Sequence, residues 1–301
     1  MSKKTKVWLI AAASLVLAGG LIFGGVMTML GWDFSKLSTN KLITNTHAIT
    51  EDFQNISVTT KTADVTFVPA EDGKISVVCE EFESEKHTVS VQDGTLVIAM
   101  ESSRKWYQHI GFHFGTPKIT VSLPQGEYGR LALKGSTGDV ALPGGFTFGA
   151  IDIAQSTGDI RVENAVVGAL NLSVSTGKVT VSNVTCDGDF RLNVTTGKAN
   201  IVDTTCRNLI SEGDTGDLVL ENVIATEKFT IERDTGDITF ESCDAAEIFV
   251  ETDTGDVTGS LLSEKIFFAE TDTGKVDVPK SVTGGRCEIE TDTGNIRITV
   301  K

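Results

Sequence analysis

Asp214-Thr215-Gly216-Asp217-Leu218-Val219-Leu220 is followed, 20 residues on, by Asp234-Thr235-Gly236-Asp237-Ile238-Thr239-Phe240. The same unit marks the chain at Gly138, Gly158, Gly177, Gly197, Gly216, Gly236, Gly255, Gly274 and Gly294, every step 19 or 20 residues long and every glycine preceded by threonine. So narrow a period is the mark of a stacked repeat, and it governs how any local motif is read.

The apolar residues keep the same period. Two after each glycine stand Val140, Ile160, Val179, Ala199, Leu218, Ile238, Val257, Val276 and Ile296. Seven before stand Leu131, Ile151, Leu170, Phe190, Leu209, Phe229, Ile248, Phe267 and Cys287. Alternation on both sides of the turn predicts strands with one buried face. Each repeat therefore reads as strand, Thr-Gly turn, strand and a second turn, the last carried by Asn164, Asn183, Asp203 and Asn222. A unit of about 20 residues makes no core alone, whereas stacked coils turn each column into a continuous apolar ladder. The fold class is all-β: a parallel β-solenoid of about nine repeats of 19–20 residues. The glycines are structural turn residues, placed to supply a positive φ. Whether a coil has two or three faces stays open.

One N-terminal transmembrane helix precedes the solenoid. Val7 to Leu30 carries no charge and follows Lys3, Lys4 and Lys6. About 20 helical residues cross a bilayer, and the lysines hold the short end in the cytoplasm. The organisation is then a basic tail at 1–6, a signal-anchor at 7–30, a linker at 31–44 and a repeat domain at 45–301. Within the last, 45–130 is an irregular cap with the first coils, in which Thr62-Ala63-Asp64-Val65 is a degenerate copy of the turn, and 131–301 is regular. The expected location is the cell membrane, single-pass, with the C-terminal domain extracytoplasmic; cleavage near Ala18 is the alternative to a retained anchor.

Net charge is −15, and −18 once the three N-terminal lysines are set aside, which excludes a nucleic-acid partner. Glu212, Glu232, Glu251, Glu270 and Glu290 share one slot, two residues before the aspartates of five Asp-Thr-Gly units. If this ridge holds an ion, oxygen-only ligands suit Ca²⁺, and Glu232, Asp234, Asp237, Glu251, Asp253 and Asp256 are the ligand set. The plainer reading, a solvated exterior, is favoured because Lys178, Lys198 and Lys275 interrupt the aspartates after the glycines. No other cofactor is implied.

An aspartic protease also uses Asp-Thr-Gly, but for two carboxylates in one cleft. Here the tripeptide recurs at the structural period, and Ser136, Ser156, Ser175 and Thr195 fill the aspartate slot in earlier repeats. Thr252, Thr271 and Thr291 add to the threonine column without making the flat face an ice binder needs. The histidines read as scattered, and no catalytic residue is assigned. Cys186 and Cys206 fall on neighbouring coils, as two buried thiols or a disulfide. An aromatic stretch with Trp106, Tyr107, Phe112 and Phe114 reads as a plug over the first coil or as a contact loop.

Ile119-Thr120-Val121-Ser122-Leu123-Pro124, leading into Leu131-Ala132-Leu133-Lys134-Gly135-Ser136-Thr137-Gly138-Asp139-Val140 and the Ser/Asp-Thr-Gly-Asp/Lys units, resembles the putative-adhesin, β-strand-repeat family of bacterial envelope proteins. The resemblance covers roughly residues 45–301 and implies no catalytic residue. It implies an anchored envelope protein of unknown function, and some relatives are linked to envelope-stress response. The expected function is a non-enzymatic surface module, adhesin-like or a scaffold, whose partner is an unknown protein or envelope polymer. The alternatives are a carbohydrate-active parallel β-helix enzyme and a solenoid assembling into filaments through an uncapped last coil, Glu288 to Val300. Repeats that vary by one residue leave no loops to wall an enzyme's cleft.

Overall fold

The structure of the chain, a computed structural model, describes residues 2–37, 41–101 and 115–301. A helix over Lys3–Met29 starts before the apolar run, because Ser2 caps it by accepting the Thr5 amide at 3.2 Å and the lysines join its first turn. It is long and apolar enough to cross a membrane, and its apolar window is fully exposed.

The rest is a parallel β-solenoid. Its coils have three faces, each a ladder of parallel strands. The first ladder, before the Thr-Gly corner, stacks Leu131, Ile151, Leu170, Phe190, Leu209, Phe229 and Ile248 in register. The second, after the corner, stacks Val140, Ile160, Val179, Ala199, Leu218, Ile238 and Val257. The third is built from pieces as short as Val166–Val167 and Thr185–Cys186. Asn164, Asn183, Asp203, Asn222 and Ser242 turn the corner into it with φ of 47–54°, a left-handed conformation that asparagine and aspartate tolerate. Inside, the columns are closed to water: Phe67, Phe148, Phe190, Phe229 and Phe240 are fully buried. Each contributes roughly 1.5–3 kcal/mol by burial.

The glycine column has two causes. Seven of the nine corner glycines adopt φ between +127° and +158°, as the turn reading requires; Gly255 and Gly274 do not. All nine are packed too closely for a side chain. A Cβ at Gly216 would lie 2.6 Å from the carbonyl carbon of Gly197 and closer still to its oxygen. Ala63 occupies the same column at its start, lying against Gly138.

Neither end is stacked in chain order. The coil of Asn55–Thr59 and Asp64–Pro69 lies between a later pair of strands, Thr95–Glu101 and Lys118–Leu123, and the coil that begins at Gly126. Antiparallel strands close that end: Lys86–Gln92 on Thr95–Glu101, Ile75–Phe82 on Lys118–Leu123, and Leu42–Ile49 on Ile75–Phe82. At the far end, the last coil in sequence is not the open one. Gly285–Thr293 and Ile296–Val300 are inserted between the coil of Glu247–Leu261 and that of Lys265–Asp277. The inner coil carries the larger apolar residue in two paired slots, Ile289 against Ala269 and Ile296 against Val276. Cys287, Ile289, Ile296 and Ile298 are buried, whereas Phe267, Ala269 and Val278 of the outer coil are only half-buried and Val276 is 43% exposed. Pro279 follows directly and lacks the N–H that a paired strand would need.

One interior column beside the Thr-Gly corner is polar in the distal coils. Arg233 is buried in the space left by Gly213, with Nη2 donating to Ser211 Oγ at 2.9 Å and Nη1 to the Glu212 carbonyl at 3.4 Å. Its Nε has no acceptor, and burial pulls the guanidinium below its ordinary pKa. Thr252 and Thr291 follow it in the column and are buried too, so they present nothing to ice.

Candidate functional site

The outer surface of the first ladder changes character along the rod. Towards the cap it carries a groove of about 440 Å³ lined by Ala132, Lys134, Asp152, Asn171, Arg191 and Asn193 among others. Arg130 pairs with one of its lining residues, Asp152, at 2.7 Å. Further out it becomes acidic. Strand register places Glu212, Glu232, Glu251, Glu290 and Glu270 in one exposed file, in that spatial order. The aspartates two residues on, Asp214, Asp234, Asp253, Asp292 and Asp272, form a second exposed file on the same face. At the foot of the glutamates lies a recess of about 320 Å³ lined by Lys228, Phe249, Glu251, Glu288 and Glu290 among others. Lys228 Nζ sits there 3.7 Å from the Phe249 ring centre. Carboxylates one rung apart, about 4.8 Å, repel by about 1 kcal/mol in water before salt screens them, so this face favours cations.

Of the six expected calcium ligands, Glu232, Asp234, Glu251 and Asp253 lie on this face. Asp237 and Asp256 lie beyond the Thr-Gly corner, where they are used by the backbone. Asp237 Oδ1 accepts the Asp256 amide at 2.9 Å, and Asp256 Oδ1 accepts the Asn295 amide at 2.7 Å. The same bond recurs down the column, from Asp139 to Asp64 and from Asp159 to Asp139. Each aspartate after a glycine thus holds its neighbouring coil. The structure does not draw the six into one cluster. Among the described residues, the only three metal-ligating side chains with donor atoms within 4.8 Å of one another are Cys79, Glu81 and His87.

That group lies in the N-terminal cap and was not singled out by sequence reasoning. Cys79 and Glu81 alternate onto one side of Ile75–Phe82, and His87 enters from Lys86–Gln92. All three are buried. Glu81 Oε2 accepts His87 Nδ1 at 2.8 Å and the His87 amide at 2.7 Å, while Oε1 accepts Asn45 Nδ2 at 2.7 Å. With Nδ1 facing the carboxylate, Nε2 lies within hydrogen-bonding distance of the Thr60 hydroxyl, at 3.1 Å. Burial, with the Glu81 charge beside it, pushes the Cys79 thiol up to about 12. The i, i+2 spacing of Cys79 and Glu81 was a usable signal; the arrival of His87 from the next strand was not.

All five cysteines are free and buried, Cys186 and Cys206 among them. The contact-loop residues Trp106, Tyr107, Phe112 and Phe114 lie outside the described residues.

A sequence profile described as Toastrack DUF4097 matches residues 53–299. The chain belongs to the Toastrack DUF4097 family. The match spans the stacked coils from Phe53 onwards, and the resemblance carried by the Ser/Asp-Thr-Gly units is borne out. Solved structures with this Toastrack fold include a putative lipid binding protein from Parabacteroides distasonis, at 16% identity and TM-score 0.55, with 87% of this chain and 98% of that one covered. A putative adhesin from Parabacteroides merdae matches at 14% identity and TM-score 0.51, again covering 87% and 98%. A putative adhesin from Parabacteroides distasonis matches at 12% identity and TM-score 0.50, with the same coverage. At such identities the likeness speaks for the Toastrack fold alone. No curated protein matches the sequence at a significant level.

Proposed function

We propose that this Toastrack protein is a non-enzymatic surface module, anchored by the helix Lys3–Met29, that presents its acidic face to a cationic partner outside the membrane. The observation that carries the reading is the double file of glutamates and aspartates on one side of the distal coils. A rigid stack fixes these charges at a constant spacing, which suits a polymer or extended protein carrying repeated positive charge. The anchor supports the same reading, because it leaves the acidic end far from the bilayer. A role in envelope-stress response rests on the family resemblance alone.

The test uses the full chain in detergent micelles and a poly-lysine peptide as probe. Binding is expected to weaken as salt rises, since charges beyond about 8 Å are screened at physiological ionic strength. It is also expected to fall at least tenfold when Glu232, Glu251 and Glu290 are together replaced by glutamine. Unchanged binding by that triple variant would remove the acidic face from the function.

A second reading, self-association through the open coil, is favoured by the apolar residues exposed on it, Phe268 at 52%, Val276 at 43% and Ile266 at 37%. Sedimentation of the full chain and of Phe268→Glu separates the two. A concentration-dependent oligomer lost in the variant supports assembly, and a monomer at all concentrations excludes it.

A further inference from the structure

We propose that Cys79, Glu81 and His87 hold a Zn²⁺ ion that locks the N-terminal cap, with a water completing the tetrahedron as fourth ligand. The three donors are a thiol, a carboxylate and an imidazole, the set that Zn²⁺ takes in proteins. Their donor atoms already lie within 4.8 Å of one another, and the closest pair, His87 Nδ1 and Glu81 Oε2, is 2.8 Å apart. Zinc bonds of about 2.0–2.3 Å place tetrahedral ligands roughly 3.3–3.8 Å apart, so closing on the ion needs side-chain movements on the order of 1 Å.

Three further observations support the site, and the first separates zinc from a harder ion. Ca²⁺ and Mg²⁺ demand six or more oxygen ligands, and Glu81 offers the only carboxylate in the cluster. Charge balance favours a divalent ion: with one thiolate, one carboxylate and one neutral imidazole, Zn²⁺ gives a neutral complex, which a site 0–4% exposed can hold without a desolvated net charge. The supporting partners are present as well. Asn45, paired opposite Cys79, holds Glu81, and Thr60 holds His87. On binding, the Cys79 thiol proton leaves and the sulfur takes the metal, while the Nδ1 proton of His87 passes to Nε2, which then donates to the Thr60 hydroxyl; no redox change is involved.

The site's position gives it a task. Cys79 and Glu81 belong to the strand that covers the second ladder, His87 to the strand that covers the first, and Asn45 and Thr60 tie in two more segments. One ion would staple both covering strands at the corner where the stack would otherwise fray. The proposal is independent of the acidic face.

The test uses the full chain in detergent, stripped with chelator and reloaded with Zn²⁺ or Co²⁺ alone. One metal per chain is expected, and the Co²⁺ form should show a thiolate-to-cobalt charge-transfer band with strong tetrahedral d–d bands. Cys79→Ser should lose the charge-transfer band, while Cys206→Ser, which alters another buried thiol, should keep it. Asn45→Ala leaves all three ligands in place and is expected to weaken binding about 10–100-fold. Co²⁺ bound by the wild-type chain without a thiolate band overturns the proposal and needs no variant to fold. So does stoichiometry no higher than in Cys79→Ser, or a band lost in Cys206→Ser instead.

Discussion

Gly216→Ala is expected to be among the most damaging single-methyl additions in this protein. The added Cβ would sit 2.6 Å from the Gly197 carbonyl carbon, about 1 Å inside ordinary carbon–carbon contact. The coils have little room to part, because Thr-Gly hydrogen bonds tie them: Gly197 N to Thr215 O and Gly216 N to Thr235 O, each 2.8 Å. Overpacking of this kind costs about 1–3 kcal/mol. Alanine must also take the glycine's φ of +129°, worth about 1–3 kcal/mol more. The sum, about 2–6 kcal/mol, is a large share of a typical stability of about 5–15 kcal/mol. It corresponds to a fall in Tm of roughly 5–20 °C for a domain of this size. Two companions isolate the causes. Gly255→Ala meets the Gly236 carbonyl carbon at the same 2.6 Å but needs no left-handed φ, so it keeps only the packing part. Gly126→Ala meets nothing within 4 Å and should melt like the wild type. The assay is thermal unfolding of the full chain in detergent, followed by the β-sheet circular dichroism signal. Equal melting of Gly216→Ala and Gly126→Ala would refute the close-packed glycine column. A silent Gly255→Ala beside a damaging Gly216→Ala would leave the conformational cause alone.

Asp237→Asn keeps the oxygen that accepts the Asp256 amide and should be nearly neutral, whereas Asp237→Ala should cost about 1 kcal/mol in urea unfolding; equal effects would mean that charge, not the bond between coils, matters there. Arg233→Met replaces a buried guanidinium whose Nε lacks an acceptor, so it should leave stability unchanged or raise it by up to about 2 kcal/mol. A loss of that size would show that the cation is well satisfied. Burial pushes the Cys206 and Cys287 thiols up to about 12, so the native chain should resist maleimide at neutral pH and label at five cysteines once unfolded without reductant. Two fewer labels in the unfolded, unreduced chain would reveal a Cys186–Cys206 disulfide.

The repeat was legible because Thr-Gly units and apolar columns fall in register, and register is what a stacked fold needs. The third face was not, because Val166–Val167 and Thr185–Cys186 are too short to show alternation. Coil order was hidden for a different reason. Every coil offers its neighbours the same pattern, so the sequence does not rank one stacking partner above another; Ala269, against Ile289 in the same slot, and the following Pro279 are what set the outer coil apart. The glycines were read through φ, although close approach is shared by more of them. The acidic files were visible as slots at the structural period. Their division into an outward face and a column that braces the next coil required the corner geometry. The buried cluster escaped notice because His87 reaches Glu81 across a turn, at no repeating distance.

The inserted last coil sets the order in which the rod can be completed. Residues 265–277 are synthesised before 285–300 yet belong outside them. Until residues 285–300 emerge, the ladder edges on Glu247–Leu261 are free, and the earlier segment carries the matching pattern to occupy them. Native assembly therefore ends with a displacement or a delayed docking, in which the more apolar tail takes the inner berth. Loss of residues 285–301 would not simply shorten the rod, since the segment from Lys265 could then slide one rung inward and make a different, shorter molecule.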